Sequence, residues 1–256
     1  MIAILNDWGA AWAGWFGWLT LKNTVFLGLV FLALHALRAA SARVRAAVAT
    51  IGVVKLALPP FLTVALLSHG AAETVPPAVS TLLFPFRDGA VEPAAGPTWS
   101  GGLTLAAAAM LAWASITLAR IGWVTLQTLQ LAWAVRGATP VPARELPADV
   151  RRSGLAVKRA PHIPLPLSFG PWPRTVYVPA VWDRWARANR DAVLRHELAH
   201  VRRRDGLVLS LEILVQAVYF FHPLVRLLIR RLRTWREMAC DDASLAADPA
   251  ARLTYT

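Results

Sequence analysis

Cysteine is nearly absent from this 256-residue chain. Cys240 stands alone, which excludes an intrachain disulfide scaffold and a cysteine-rich zinc finger. Charge is scarce too. Asp, Glu, Lys and Arg make up 16% of the residues, against about 25% in soluble domains, and that shortage argues against both a disordered chain and an ordinary cytosolic enzyme. Acidic residues are the scarcer kind, 15 against 27 basic, leaving a formal net charge of +12. No helix-turn-helix, zinc finger or aromatic RNA-binding platform accompanies the basic excess, so direct nucleic-acid binding is not expected. A solvated face lying against anionic lipid accounts for the same charge. The N-terminus lacks the basic region and cleavage pattern of a signal peptide, and there is no internal repeat.

What is present is apolar. Hydrophobic residues form 56% of the chain, the mean hydropathy is +0.46 and there are 12 tryptophans. Three stretches have the length of a membrane-spanning helix, about 20 residues: Leu19 to Leu37, Val48 to Leu67 and Leu103 to Val135. The second contains Lys55 and Pro59-Pro60, where a kink or break is expected. The third carries Arg120 and is long enough to tilt or to project from the bilayer. The fold class expected is therefore an α-helical polytopic membrane protein with a membrane domain over residues 1–135. Arg38, Arg43 and Arg45 crowd the first loop, whereas residues 68–101 offer only Arg87 beside Glu73, Asp88 and Glu92. Positive loops stay in the cytoplasm. The N-terminus is then outside, and the chain from Arg136 onward is cytoplasmic. Trp8, Trp12, Trp15 and Trp18 fall at helical spacing, as an interfacial aromatic belt does; a ligand-binding aromatic surface is the alternative.

A proline-punctuated linker, 136–150, leads to a cytoplasmic α+β domain over 151–256. Its β-like runs are Leu155 to Lys158, Leu165 to Phe169 and Thr175 to Val178. The second is a candidate edge for an extended peptide to pair with. A helix is expected from about Asn189 or Arg190 through His200.

That helix carries His196-Glu197-Leu198-Ala199-His200, an HExxH motif. Residues four apart are offset by about 40° around a helix, so both imidazoles can reach one metal ion. Glu197 lies beside the open coordination position, where it can take a proton from metal-activated water. Taken alone, so short a motif can also be an accidental match with solvated histidines. A catalytic zinc needs a third protein ligand. Glu237 is the best one, with Asp241 one turn further on the same face, placed to accept the outer N–H of a ligand histidine. Asp205 is a second candidate for that supporting role, or else a solvated helix end. The apolar segment 207–232 lies between the histidines and Glu237. One full crossing there would separate the ligands by about 30 Å. Arginines flank it at both ends, however: Arg202, Arg203 and Arg204 before it, and Arg226, Arg230, Arg231, Arg233 and Arg236 at or beyond its far end. Both ends therefore read as cytoplasmic, and His222-Pro223 favours a break. A broken, membrane-associated helical pair is expected. His222 is a helix-break residue or, alternatively, an oxyanion stabiliser. Cys240 is expected to be a small buried residue rather than a thiolate ligand. His35, His69 and His162 have no partner at ligand spacing.

The HExxH run with Arg203 and Asp205, then Phe221-His222-Pro223-Leu224-Val225, then Glu237-Met238-Ala239-Cys240-Asp241, resembles the BlaR/MecR family of membrane zinc metallopeptidases. Ser168-Phe169-Gly170 and Val176-Tyr177-Val178-Pro179 resemble the strand region before that family's zinc helix. The resemblance implies a gluzincin-like domain facing the cytoplasm of the bacterial inner membrane. It implies one Zn2+ held by His196, His200 and Glu237, with Glu197 as base. It also implies a signalling role in antibiotic response, through cleavage of a cytoplasmic BlaI/MecI-type repressor. The family's β-lactam receptors carry a further span and an extracellular sensor domain, and no such domain precedes Thr256. The domain is expected to be C-terminally incomplete, or its sensor to be supplied by another arrangement. Two other functions fit parts of the sequence. A non-catalytic zinc-binding transducer would have no need of Glu197, and a transporter would need more paired polar residues in its spans than Lys55 and Arg120.

Overall fold

The computed structural model describes residues 1–58, 102–168 and 174–247, with side chains as far as Ser244. Helix α1 spans Ile2–Ala36, α2 Ala42–Ala57 and α3 Leu105–Ala134. Of these, α1 and α3 are long and apolar enough to cross a membrane. Helix α1 begins well before Leu19 because the tryptophan-rich segment is itself helical. Trp12 stacks on Phe16 at 4.6 Å between ring centroids and meets Trp113 of α3 at 5.7 Å. The aromatic belt therefore needs correction at this position: Trp12 belongs to the α1–α3 seam, while Trp8 and Trp15 are exposed. The same seam explains Gly9, since a Cβ there would lie 2.5 Å from the Ala107 backbone. Helix α2 starts at Ser41, whose hydroxyl accepts from the Val44 amide, as an N-cap should. Pro59-Pro60 and the remainder of the second predicted span lie outside the described residues.

A three-stranded sheet follows, in the order β1 (Thr139–Pro140), β2 (Ala156–Ala160), β3 (Thr175–Pro179). β1 and β2 are antiparallel; β2 and β3 are parallel, with Val157 opposite Val176. The expected strand at Leu165 to Phe169 shrinks to one bridge between Leu167 and Tyr177. Pro164 and Pro166 flank Leu165 and have no N–H to give a ladder, and Phe169 lies outside the described residues. The short α4 (Ala148–Arg152) and α5 (Arg187–Arg202) cover the sheet. Leu194 and Leu198 of α5 bury against Val157, Val176, Val178 and Trp182 in one core.

The apolar run 207–232 is two helices, α6 (Asp205–Val218) and α7 (Pro223–Ala247). Pro223 cannot donate a helical hydrogen bond, so it opens a new helix rather than continuing the old one. Helix α3 takes up the carbonyls left at the end of α6: Trp113 Nε1 donates to Val218 O at 2.9 Å and Thr117 Oγ1 to Ala217 O at 3.3 Å. Helix α7 is amphipathic. Val225, Leu228, Ile229, Leu232 and Trp235 line its inner face and form a second core with α1, α2 and α6. Glu212 of α6 is fully buried and receives Arg233 and Arg236 of α7, each at 2.8 Å.

Candidate metal centre

On α5 the residue period separates two jobs. Leu194 and Leu198 face the sheet, while His196 and His200 lie on the opposite side, toward α7. The two Nε2 atoms stand 3.0 Å apart. Glu237 Oε2, from α7, is 3.7 Å from each, and its side chain is 56% exposed. The ligand atoms of this trio all fall within 4.8 Å of one another.

The outer nitrogens are held as well. His200 Nδ1 is 2.8 Å from Asp205 Oδ2, and His196 Nδ1 is 3.1 Å from Asp241 Oδ1. Each carboxylate is placed to accept an Nδ1–H, which turns both Nε2 atoms toward each other across 3.0 Å. A charged His200 ring donates across that gap to His196, and two neutral rings would present their lone pairs to a cation. Nitrogens bound tetrahedrally to zinc at about 2.0–2.1 Å lie about 3.3 Å apart. The donor set, two imidazoles and a carboxylate, is one zinc accepts.

Asp205 reaches His200 through a tight joint. Helix α5 ends at Arg202, Arg204 takes a left-handed conformation at φ 59°, and α6 starts on Asp205. Burial of Asp205 acts to raise its pKa. The hydrogen bond with His200 and the charges of Arg203 and Arg236 outweigh burial and hold it below the ordinary range. The Asp205 hydrogen bond, and then Cys240, push His200 up to about 10. For Glu197, burial dominates and raises the pKa. The two histidines and a hydrogen bond with the Ser168 side chain offset part of that rise.

Two other predicted positions lie where the favoured readings put them, His222 at the helix break and Cys240 buried. His222 is not part of this cluster: it precedes α7 by one residue, roughly 22 Å along the axis from Glu237 at 1.5 Å per residue. Its Nε2 meets Thr24 Oγ1 of α1 at 3.0 Å, which removes the oxyanion role. Cys240 is fully buried, and its Sγ lies 3.4 Å from His200 Nδ1 and 3.5 Å from Asp205 Oδ2. His200, Asp205 and Cys240 form a second possible ligand group. Its Nδ1 is already hydrogen-bonded and two of its members are buried, whereas a catalytic metal needs an open position. Helical or strand periodicity does not link Glu212 to Arg233 and Arg236, which the structure joins in a clamp. Its one visible signal is the lone acid of the apolar run 207–232, with arginines three residues apart downstream.

Comparison with known proteins gives two matches. The family described as BlaR1 peptidase M56 matches residues 88–256, about two thirds of the chain. A relative from Bacillus licheniformis, named "Regulatory protein BlaR1", is 34% identical over 89 residues. That alignment covers 35% of this chain and 15% of the relative's length.

Proposed function

Because the chain belongs to the BlaR1 peptidase M56 family, we propose that it is a membrane-bound zinc endopeptidase that acts in signal transduction. The observation that carries this reading is the convergence of His196 Nε2, His200 Nε2 and Glu237 Oε2, with both outer nitrogens on carboxylates. These three residues would hold one Zn2+. Bound there, zinc supplies Lewis acidity, polarising a peptide carbonyl and acidifying water.

The remaining chemistry belongs to the chain. Glu197 takes the proton of the attacking water and delivers it to the leaving amine. Its burial-raised pKa suits both directions of that transfer. Asp205 and Asp241 orient the two imidazoles. The exposed side of Glu237 leaves the centre open to a polypeptide. The substrate in this reading is a cytoplasmic protein, a BlaI/MecI-type repressor, and the signal is antibiotic stress. The relative's printed name, a regulatory protein, points the same way. The arginines that flank 207–232 at both ends support a cytoplasmic site on an inner-membrane, multi-pass protein with its N-terminus outside.

The test is the metal content of detergent-purified protein. About one zinc per chain is expected, lost or weakened in His196→Ala and Glu237→Ala. Glu197→Gln is expected to keep the zinc and lose cleavage by about 10²- to 10⁴-fold. Normal zinc binding in Glu237→Ala would remove the third ligand. Retained proteolysis in Glu197→Gln would remove the base.

A further inference from the structure

A groove of about 530 Å³ opens between α2 and α5, bordered also by Val208 of α6 and Ala243 of α7. Its chemistry changes from one end to the other. Arg43 of α2, Arg202 at the end of α5 and Arg203 just after it line one part; Ala47, Ile51 and Val208 line another. Ile51 follows Arg43 by eight residues, about 12 Å along the helix, and is 66% exposed.

The carboxylates that border the groove are already engaged. Asp149 lies 3.4 Å from Arg195, and Asp205 is held by His200 at 2.8 Å and by Arg203 at 3.5 Å. Arg43 and Arg202 are both exposed, and neither has an ion-pair partner among the described residues. Arg203 is ion-paired to Asp205, so the unspent positive charge is that of Arg43 and Arg202, beside an apolar channel that runs toward the middle of α2.

We propose that this groove binds one anionic phospholipid. Its phosphate lies against Arg43 and Arg202, and its acyl chains lie along Ala47, Ile51 and Val208. Charge complementarity selects the headgroup. The 12 Å step from arginine to isoleucine matches the passage from headgroup to hydrocarbon. The inference rests on the membrane-spanning part of the function proposed above and is independent of the peptidase part.

The test is native mass spectrometry of the full chain in mild detergent, titrated with phosphatidylglycerol. One tightly held lipid is expected, weakened about tenfold or more by Arg43→Gln with Arg202→Gln. Ala47→Trp, which fills the apolar part without removing charge, is expected to weaken it as well. Melting temperature and zinc content serve as folding controls for both variants. Binding unchanged in both variants would overturn the proposal. So would equal binding of phosphatidylcholine, which signals a generic annulus. Displacement of the lipid by inorganic phosphate alone would show a free-anion site, and displacement by an acidic peptide a protein-binding one; either overturns the lipid assignment. A chain that stays soluble without detergent would overturn the membrane reading itself. A chain that needs detergent yet ignores phosphatidylglycerol overturns only the lipid site.

Discussion

At the scale of single residues, the site is arranged around which nitrogen of each histidine carries the proton. Asp205 beside His200 Nδ1 raises the basicity of that ring and fixes its orientation. Asp205→Asn is therefore expected to lower zinc affinity by about 10- to 100-fold, measured by competition with a chromophoric chelator; equal affinity would show that Asp205 does not position the ligand. The same pair makes binding pH-dependent. In the metal-free protein His200 is pushed from 6.5 up to about 10, so its pairing with Asp205 stabilises the fold fully below about 6.5 and fades as pH rises through about 10. Zinc needs that ring deprotonated. Zinc binding near neutral pH should release about one proton from His200, and affinity should climb with pH over that window. Titration calorimetry in two buffers of different ionisation enthalpy reads the proton directly, and zero release would contradict the Asp205–His200 pairing. His196 with His200, and Glu237 with Asp241, were legible because helical spacing groups each pair; the two pairs were joined by the need of a catalytic zinc for a third ligand, and Asp205 by its place just past the first helix. The burial of Cys240 was legible too, but its contact with His200 was not, since a lone cysteine has no spacing to interpret and the pair is 40 positions apart.

At the scale of elements, what brings Glu237 to α5 is the α6–α7 pair. Its break was legible because His222-Pro223 interrupts an apolar run with arginines at both ends. Its clamp was not legible, because pairing Glu212 with Arg233 and Arg236 joins positions 21 and 24 apart across that break, a distance no periodicity encodes. The Leu165 to Phe169 strand failed for the opposite reason, since its alternating pattern counted residues whose prolines cannot pair. Glu212 is fully buried, and removing it leaves two arginines without their partner. Glu212→Ala is expected to destabilise the protein by about 3–5 kcal/mol, read as a shift of the unfolding midpoint in denaturant. Arg236 directly precedes Glu237, so zinc should also be held less tightly in this variant. Replacing Glu212, Arg233 and Arg236 together with apolar residues of similar volume should recover most of the stability. A single substitution within about 0.5 kcal/mol of wild type would show that the clamp is not what holds α7 in place.

At the scale of the whole molecule, two hydrophobic cores meet at the candidate metal centre. The sheet core ends in Leu194 and Leu198 of α5, the helix that carries His196 and His200. The helical core takes in Leu228, Leu232 and Trp235 of α7, the helix that carries Glu237. A metal ion bound by all three would therefore tie one core to the other, in addition to the direct packing of α5 against α7. Zinc that binds only the folded arrangement adds about 2.7 kcal/mol at a hundredfold excess over its dissociation constant. Chelation should then do more than lower the melting temperature. With zinc, tryptophan fluorescence, which includes Trp113 at the α3–α6 contact and Trp182 in the sheet core, should follow a single transition. With a chelator the two regions should separate, so that a Trp113→Phe variant and a Trp182→Phe variant report different midpoints. Coincident midpoints with the metal removed would mean that direct packing between α5 and α7 already couples the cores, and that the ion serves chemistry alone.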